Sequence, residues 1–169
     1  MKPIKPIKIG KDRNGKTKPT QGSPSELIGF QLWQAANRWQ RLMRLTLAPL
    51  DLTHVQYILL AGLADIGATS DKTAVNQNQI ATHLGIDKMM TSKVIRALAD
   101  RNLLARKASD QDARAIIIWL MPAGQAMIAA AHSVVAEADA QFFEVVGKKE
   151  DKLLKYLRLL IAAAQGEED

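Results

Sequence analysis

Residues 77–101, QNQIATHLGIDKMMTSKVIRALADR, contain two helical patterns separated by a glycine turn. The first pattern covers residues 77–84, repeats its apolar side chains at helical spacing and ends at Gly85. The second begins at Asp87, whose carboxylate is well suited to cap a helix that extends to residue 101. Two short helices joined by a tight turn with glycine predict a helix-turn-helix unit.

After this unit the sequence pattern changes from that of a helix to that of β-strands. Residues 105–108 and 114–120 have the pattern of strands, the second rich in β-branched side chains, and a polar tip at 109–112 lies between them. A β-hairpin directly after a helix-turn-helix defines a winged helix. We therefore assign residues 51–121 to a winged helix-turn-helix domain.

The segment before this domain predicts a long helix. The sequence SPSE at residues 23–26 has the pattern of a capping box with proline at the first helical position, and Pro49 ends the helix. A second helix follows with Thr53 as its cap, and Gly67 closes it. The polar stretch 68–75 is predicted to be a loop.

Two further helices are predicted over residues 122–146 and 149–164, separated by Gly147. The first would be about 37 Å long at 1.5 Å per residue, which is longer than a small winged domain can cover. Residues 23–50 and 122–165 are therefore predicted to form a helical dimerisation region that joins two copies about a two-fold axis. A monomeric helical cap is the alternative. The predicted fold class is mainly α with a small β-hairpin wing.

The basic charge is concentrated in one segment of the chain. Residues 1–22 hold seven lysine or arginine residues and one aspartate, which accounts for the whole formal charge of +6, because the other residues carry 16 basic and 16 acidic groups. Prolines and the lack of an apolar face predict that this tail is disordered. Two interpretations stay open: an arm that adds nonspecific phosphate contacts, or a solubilising extension or expression artefact.

Composition excludes several classes of function. The chain has no cysteine, which excludes disulfides, thiolate metal sites, cysteine nucleophiles and thiol redox sensing. His54, His83 and His132 lack metal-ligand spacing, and the sequence has no glycine-rich phosphate loop. We therefore expect no enzymatic activity, no metal and no cofactor. The sequence has neither a run of ~20 apolar residues nor a signal peptide, so a cytoplasmic protein without a membrane partner is expected.

The helix predicted after Asp87 has two chemically distinct faces. Its apolar face, which must pack on the preceding helices, holds Met90, Thr91, Val94, Ile95 and Leu98. Its polar face holds Lys88, Met89, Ser92, Lys93, Arg96 and Asp100. Such a row of hydrogen-bonding side chains is what a recognition helix presents to the major groove of DNA.

The polar face suggests a division of roles at the DNA. Lys93 and Arg96 are expected to donate to guanine edges or phosphates, Ser92 to either, and Met89 to contact a thymine methyl group. Residues 88–114 hold seven basic and three acidic groups, so this region is a positive patch in an otherwise neutral body. The alternative is an ordinary solvated helix face, and the hairpin that follows favours DNA binding.

The predicted wing adds a further contact. Asp112 and Arg114 lie on the same side of an extended strand, so the carboxylate can hold the guanidinium in a forked pair. An arginine oriented in this way near a hairpin tip can enter a minor groove. A salt bridge that only stiffens the hairpin is the alternative, and the two roles are compatible.

The order and spacing of these features resemble the MarR (multiple antibiotic resistance regulator) family of winged helix-turn-helix transcription factors. The matching pieces are LTHVQYIL at 52–59, QIATHLGIDK at 79–88, DARA at 112–115 and LMPAG at 120–124. The resemblance implies a homodimer with recognition helices in successive major grooves of a pseudo-palindromic operator, usually repressing nearby genes. It places Ser92 and Lys93 at the recognition pair and Arg114 at the wing arginine that enters the minor groove.

Three features depart from the family pattern. Met121 replaces a threonine, so the next helix loses a hydroxyl cap worth about 1 kcal/mol. Asn102 replaces a glycine after the recognition helix, and asparagine also adopts the left-handed cap conformation. Met89 and Met90 replace small polar residues, so the operator sequence cannot be taken from relatives.

Members of this family often release DNA when a small, commonly aromatic, anion fills a pocket between the dimerisation helices and the winged domain. The resemblance implies a pocket lined by Trp39, Met43, His54 and Tyr57, with Arg38 or Arg41 available to a carboxylate. A packed core with ordinary polar edges is the alternative. For the whole protein, the alternative to a sequence-specific regulator is a winged helix used for nonspecific DNA binding or protein contact.

Overall fold

The computed structural model describes residues 23–69, 74–109, 112 and 115–165. The basic tail at 1–22 and Arg114 lie outside the described residues, so the predictions made for them stay predictions. The helices of the described part are α1 (Ile28–Leu47), α2 (His54–Thr69), α3 (Gln77–Leu84), α4 (Lys88–Asp100), α5 (Pro122–Phe143) and α6 (Glu150–Gln165). The strands are β1 (Val75–Asn76), β2 (Leu104–Ala108) and β3 (Ile116–Leu120). Short 3-10 segments cover Pro24–Glu26, Ala48–Leu50 and Glu144–Lys149.

The chain divides into two units, residues 1–38 and 39–169. The described part of the first unit is the turn Pro24–Glu26 and the first half of α1. The capping box predicted here is wrong, because the Ser23 hydroxyl accepts from the Ser25 hydroxyl at 2.8 Å and caps no backbone N–H. Leu27 is extended, with ψ 132°, so it separates this turn from α1.

In the second unit, α2, α3 and α4 pack together and against the sheet. Fully buried side chains come from each layer: Leu59 and Leu60 from α2, Ile80 from α3, Ile95 and Leu98 from α4, Leu104 and Ile118 from the hairpin. Burial of this contiguous apolar cluster is the main stabilising contribution to the winged unit. The predicted fold class, mainly α with a small β-hairpin wing, is confirmed.

Capping side chains fix where the helices of this unit start. The hydroxyl of Thr53 accepts from the Gln56 N–H at 3.3 Å, and Gln56 Oε1 accepts from the Thr53 N–H at 2.9 Å, which confirms Thr53 as the cap of α2. At α3, Asn76 and Gln79 make the equivalent reciprocal pair. The end of α2 is predicted less well, because the helix continues past Gly67 to Thr69.

The sheet has the order β1-β3-β2 and is antiparallel throughout. The predicted hairpin is confirmed, with Leu104 opposite Leu120 and Ala108 opposite Ile116. The third strand, β1, was predicted to be part of a loop: Val75 instead pairs with Ile118. Two residues are too few to produce an alternating pattern, so this strand depends on the partner that β3 offers.

The start of α5 lies tightly against the end of the helix-turn-helix unit. The Met121 N–H donates to the Leu103 carbonyl at 3.1 Å, and a Cβ at position 124 would lie 1.9 Å from that same oxygen. Gly124 is therefore required by close approach of two backbone segments. Met121 makes no side-chain cap, as predicted from its sequence.

Two C-terminal helices were predicted and are present, with boundaries shifted by a few residues. The first ends at Phe143, where the 3-10 segment Glu144–Lys149 begins, and α6 starts at Glu150. Gly147 within this segment has φ 55° and ψ −138°, so the chain bends there. Large apolar side chains remain exposed on α6: Leu154, Tyr156, Leu159, Leu160 and Ile161.

Candidate nucleic-acid interface

The first turn of α4 is held by Asp87. Its Oδ1 accepts from the backbone N–H groups of Met89 at 2.9 Å and Met90 at 3.0 Å, which confirms the predicted cap. The Thr91 hydroxyl donates to the Asp87 carbonyl at 2.9 Å, so its polar group is satisfied although Thr91 is buried. At the other end, Asn102 has φ 56°, the left-handed conformation predicted for it.

Burial along α4 separates a packed face from an open one. Thr91, Val94, Ile95 and Leu98 are buried, as predicted. The prediction for Met90 is wrong, because this side chain is 51% exposed. At about 100° per residue, position 90 lies roughly 90° from the centre of the packed face, so Met90 stands at its edge.

The open face of α4 carries the residues that were predicted to contact DNA. Lys88, Lys93 and Arg96 are exposed, and Met89 is 73% exposed, while Ser92 is half-buried. Arg96 Nη2 donates to Ser92 Oγ at 3.2 Å, so one turn of helix aligns the guanidinium along the open face. The structure thus brings five predicted DNA-contacting residues together on one surface.

Two backbone hydrogen bonds join the described residues that follow β2 and precede β3. The Ser109 N–H donates to the Ala115 carbonyl at 2.8 Å, and the Ala115 N–H donates to the Asp112 carbonyl at 2.9 Å. Asp112 is exposed at this tip. Because Arg114 lies outside the described residues, the forked pair predicted for these two side chains stays a prediction.

The residues predicted to line an effector pocket have different surroundings from one another. Trp39 stacks edge-on against His54, with ring centroids 4.9 Å apart, and its Nε1 donates to Asp139 Oδ1 at 2.8 Å. Tyr57 is buried, with its hydroxyl 3.4 Å from His132 Nδ1. Met43 is fully buried in the core. Arg38 is exposed in the first unit and Arg41 is exposed on α1.

An open cavity of about 840 Å³ lies beside His54, between the end of α1, the start of α2 and one residue near each end of α4. It is lined by Gln40, Arg44, Ala48, Asp51, Leu52, Thr53, His54, Val55, Gln56, Met90 and Arg101. Of the predicted effector residues, His54 alone is among these. Sequence reasoning missed Asp51 and Arg101, because they lie 50 positions apart and no local pattern connects them.

One contact joins the end of α4 to the junction between α1 and α2. Arg101 Nη1 donates to the Asp51 carbonyl at 2.6 Å, and Nη2 lies 3.6 Å from Asp51 Oδ2. Asp51 has φ 52°, a left-handed conformation that turns its carbonyl toward Arg101. The only sequence signal for this turn is the aspartate after Pro49-Leu50, since aspartate tolerates that conformation.

The His54 side chain is electrostatically unusual. Burial, followed by the nearby Arg44 guanidinium, lowers the pKa of His54 below its ordinary value of 6.5. Its Nε2 is buried and has no hydrogen-bond partner among the described residues. The imidazole is therefore neutral near pH 7, and its Nε2 is enclosed by the protein.

Acidification should lower the stability of the folded chain, because its environment disfavours the protonated His54 imidazole. Because the pKa of His54 is lower in the folded chain than in the unfolded one, the unfolded chain takes up the proton first as the pH falls below 6.5. We expect the urea midpoint to fall between about pH 7.5 and pH 5.5, and to fall less in His54→Gln. His83→Gln, at an exposed histidine of α3, is the matched control. An equal pH dependence in wild type and His54→Gln would contradict the assignment.

The described residues contain no group of three or more histidine, aspartate or glutamate side chains that could hold a metal ion. No single helix in this part of the chain is long and apolar enough to cross a membrane, and only the bent pair 28–50 and 54–68 reaches the required length and composition.

Comparison with known proteins gives consistent matches. The MarR family profile matches residues 52–116. The HTH-type transcriptional regulator YdcH of Bacillus subtilis, whose function is uncharacterized, is 35% identical over 137 residues, which cover 81% of this chain and 92% of YdcH.

Solved structures agree in fold. The transcriptional repressor CouR bound to a 23-mer DNA duplex is 30% identical, with a TM-score of 0.71 over 86% of this chain and 99% of CouR. CouR from Rhodococcus jostii RHA1 bound to p-coumaroyl-CoA has a TM-score of 0.69 at 21% identity, over 83% of this chain and 93% of that one. With its winged helix-turn-helix fold and a relative 35% identical over most of its length, the chain belongs to the MarR family of DNA-binding transcriptional regulators.

Proposed function

We propose that the protein is a homodimeric repressor that binds a pseudo-palindromic operator. The observation that carries this proposal is the division of α4, whose packed face is buried while Lys88, Lys93, Arg96 and Met89 are exposed on the other. An exposed face of this composition suits base edges and phosphates in a major groove. Asp112 and Arg114 in the wing are proposed as the minor-groove contact. CouR, which shares the fold, is a repressor seen bound to DNA.

The dimer is supported by apolar surface that a monomer would leave in water. On α6 this surface consists of Leu154, Leu159, Leu160 and Ile161. In the first unit, the start of α1 exposes Ile28, Leu32 and Trp33. Exposed apolar side chains of this kind are typical of association surfaces, and a two-fold axis would bury part of them against their counterparts. Such a dimer would present two α4 helices to successive major grooves.

Release by a small aromatic or anionic effector is part of the same proposal. CouR has been seen bound to p-coumaroyl-CoA, so this fold accommodates a large aromatic ligand. In this chain His54 lines an open cavity, and the ring of Trp39 contacts His54. Arg38, Met43 and Tyr57 complete the set proposed from the sequence. The protein is proposed to act in the cytoplasm and to have no catalytic activity.

A binding experiment with matched variants tests operator recognition. The protein is titrated with DNA from its own upstream intergenic region and with scrambled DNA of equal length, at several salt concentrations. We expect a preference of about 10³ or more for the first DNA. Lys93→Ala and Arg96→Ala should each weaken specific binding by about 5- to 150-fold, because a good base contact is worth roughly 1–3 kcal/mol.

The controls distinguish contacts made by the recognition helix α4 from a general effect of removing positive charge. Lys148→Ala removes an exposed lysine from the 3-10 segment between α5 and α6 and should leave both affinities unchanged. Sedimentation of the same sample should give a mass near twice 18.6 kDa. Equal affinity of the wild type for both DNAs would contradict sequence-specific repression and favour nonspecific binding. A mass of 18.6 kDa at micromolar concentration would contradict the dimer.

A further inference from the structure

The helices α1 and α4 are followed by turns of the same kind. The chain leaves α1 through LAPLDL at residues 47–52 and leaves α4 through LADRNL at residues 98–103. Both segments have leucine and alanine first, aspartate or asparagine fifth, and leucine last. Asp51 and Asn102, the fifth residues, are left-handed, with φ 52° and 56°. In the described part of the chain they are the only residues other than glycine with positive φ.

The backbone hydrogen bonds of the two turns are also equivalent. The Leu52 N–H donates to the Leu47 carbonyl at 3.3 Å, and the Leu103 N–H donates to the Leu98 carbonyl at 3.0 Å. A bond from the sixth residue to the first, closed by a left-handed residue, is the Schellman motif. All four leucines belong to one buried apolar cluster. Each turn is therefore anchored in the core at both of its ends.

Arg101 connects these two turns. It directly precedes Asn102, and its Nη1 donates to the Asp51 carbonyl at 2.6 Å. A guanidinium donor makes this hydrogen bond charge-assisted, and the Arg101 side chain is only 30% exposed. The Asp51 carboxylate lies 3.6 Å from Nη2 and is 95% exposed, so the ion pair contributes little. The bond to the backbone carbonyl is therefore the main part of the contact.

The contact lies at one end of the recognition helix, while the proposed DNA contacts start at the other. Lys88 is the first residue of α4, and Arg101 follows its last residue. Thirteen residues form a helix about 20 Å long, so a tilt of about 5° at Arg101 would move Lys88 by about 2 Å. In a dimer both α4 helices would move. The combined change would be similar to the rise of one base pair, about 3.4 Å.

We propose that Arg101 is a positioning residue for operator recognition. Its bond to the Asp51 carbonyl holds α4 in a fixed orientation to the junction between α1 and α2, and thereby sets the distance between the two half-sites that a dimer recognises. Lys93 and Arg96 select the bases, and Arg101 selects the spacing without contacting DNA. The positioning step concerns a single chain, whereas its effect on spacing rests on the proposed dimer and operator binding.

A distance measured within one chain tests the positioning step. The sequence has no cysteine, so Arg41→Cys on α1 and Lys88→Cys on α4, both at exposed positions, allow two nitroxide labels to be attached specifically. The labelled chain is mixed with an excess of unlabelled protein, and pulsed electron paramagnetic resonance gives the distance between the labels. Arg101→Met removes the donor and keeps an apolar stem. We expect it to shift or broaden the distance distribution by about 2 Å. An unchanged distribution would overturn the proposal.

Two further variants distinguish the backbone bond from the ion pair. Asp51→Asn removes the carboxylate, keeps the carbonyl and accepts the left-handed conformation, so the distance should stay as in the wild type. Arg101→Lys keeps a charged donor but not the fork, and should lie between the wild type and Arg101→Met. The urea midpoints of all three should remain close to that of the wild type, because the contact is partly exposed. An effect of Asp51→Asn as large as that of Arg101→Met would contradict the role of the carbonyl.

The spacing preference is measured on DNA. The probe is the upstream segment that the wild type protects from nuclease digestion, with one base pair inserted or removed at its centre. We expect the wild type to lose at least about tenfold in affinity, as for a mismatched base pair. Arg101→Met should lose about threefold or less, because a loosely held α4 can follow the displaced half-site. Lys93→Ala is the contrast, since it should bind every spacing more weakly and keep the wild-type ratio.

The outcomes for the two steps are distinct. Equal spacing ratios in the wild type and Arg101→Met would overturn the effect on spacing, while a changed label distance would still support the positioning step. If the wild type protects no DNA segment, the proposed function fails. The label distance is measured without DNA, so in that case it still decides whether Arg101 positions α4.

Discussion

Replacing Gly124 by alanine will lower the free energy of unfolding by about 2–3 kcal/mol. The added methyl group would lie 1.9 Å from the carbonyl oxygen of Leu103, which already accepts from the Met121 N–H. Neither atom is the end of a flexible side chain, so two backbone segments must separate. The gain in helix propensity, at most about 1 kcal/mol, offsets only part of this cost. Urea denaturation of the purified variant measures the change.

Gly67→Ala is the matched control for this experiment. Gly67 lies inside α2, and a Cβ built there has no other atom within 4 Å. We expect no loss of stability and a gain of up to about 1 kcal/mol, since alanine is the better helix former. A loss of the same size in both variants would show that the effect comes from the helix and not from the Leu103 contact.

Truncating Leu98 to alanine will destabilise the protein by about 2–5 kcal/mol, because Leu98 is fully buried where α4 packs on the core. Met89→Ala is its counterpart on the open face of the same helix. That side chain is 73% exposed, so its loss should change stability by less than about 0.5 kcal/mol. The two variants therefore remove apolar side chains of similar size from opposite faces of the recognition helix.

In DNA binding the larger effect is expected in the other variant, Met89→Ala. Met89→Ala should reduce the preference for the specific site while remaining fully folded, because it removes an apolar contact available to a thymine methyl group. Leu98→Ala, corrected for its unfolded fraction, should retain that preference. Unchanged stability in Leu98→Ala would contradict the packing described for α4, and unchanged DNA preference in Met89→Ala would remove that side chain from the proposed interface.

The parts of the fold that sequence predicted well are those governed by neighbouring residues. The cap at Asp87, the turn at Gly85 and the left-handed Asn102 each depend on chemistry within a few positions, and all three were predicted. The same reasoning failed at Ser23, where the capping pattern is present. There the neighbouring Ser25 donates to the hydroxyl that was expected to cap, and extended Leu27 interrupts the helix.

Of the candidate site, the sequence predicted the part that depends on a local pattern. Helical periodicity found the open face of α4, with an error only at Met90 on its edge. The cavity could not be found this way, because it is assembled from α1, the start of α2 and both ends of α4. The contact between Arg101 and Asp51 joins residues 50 positions apart, and no local sequence pattern predicts it. Strand β1 was missed because it exists only through pairing with β3.

Gly147 is exposed to solvent, yet its backbone conformation restricts which residues could replace it. This glycine is exposed, and a Cβ built on it would meet no atom within 4 Å, so by accessibility alone it would rank among the most replaceable surface positions. Its φ of 55° with ψ of −138° is a combination that residues with a side chain rarely tolerate. The direction in which α6 leaves α5 is thus encoded by the lack of a side chain at one surface site. Homologous chains that differ there would have to aim their last helix differently, and could assemble differently as a result.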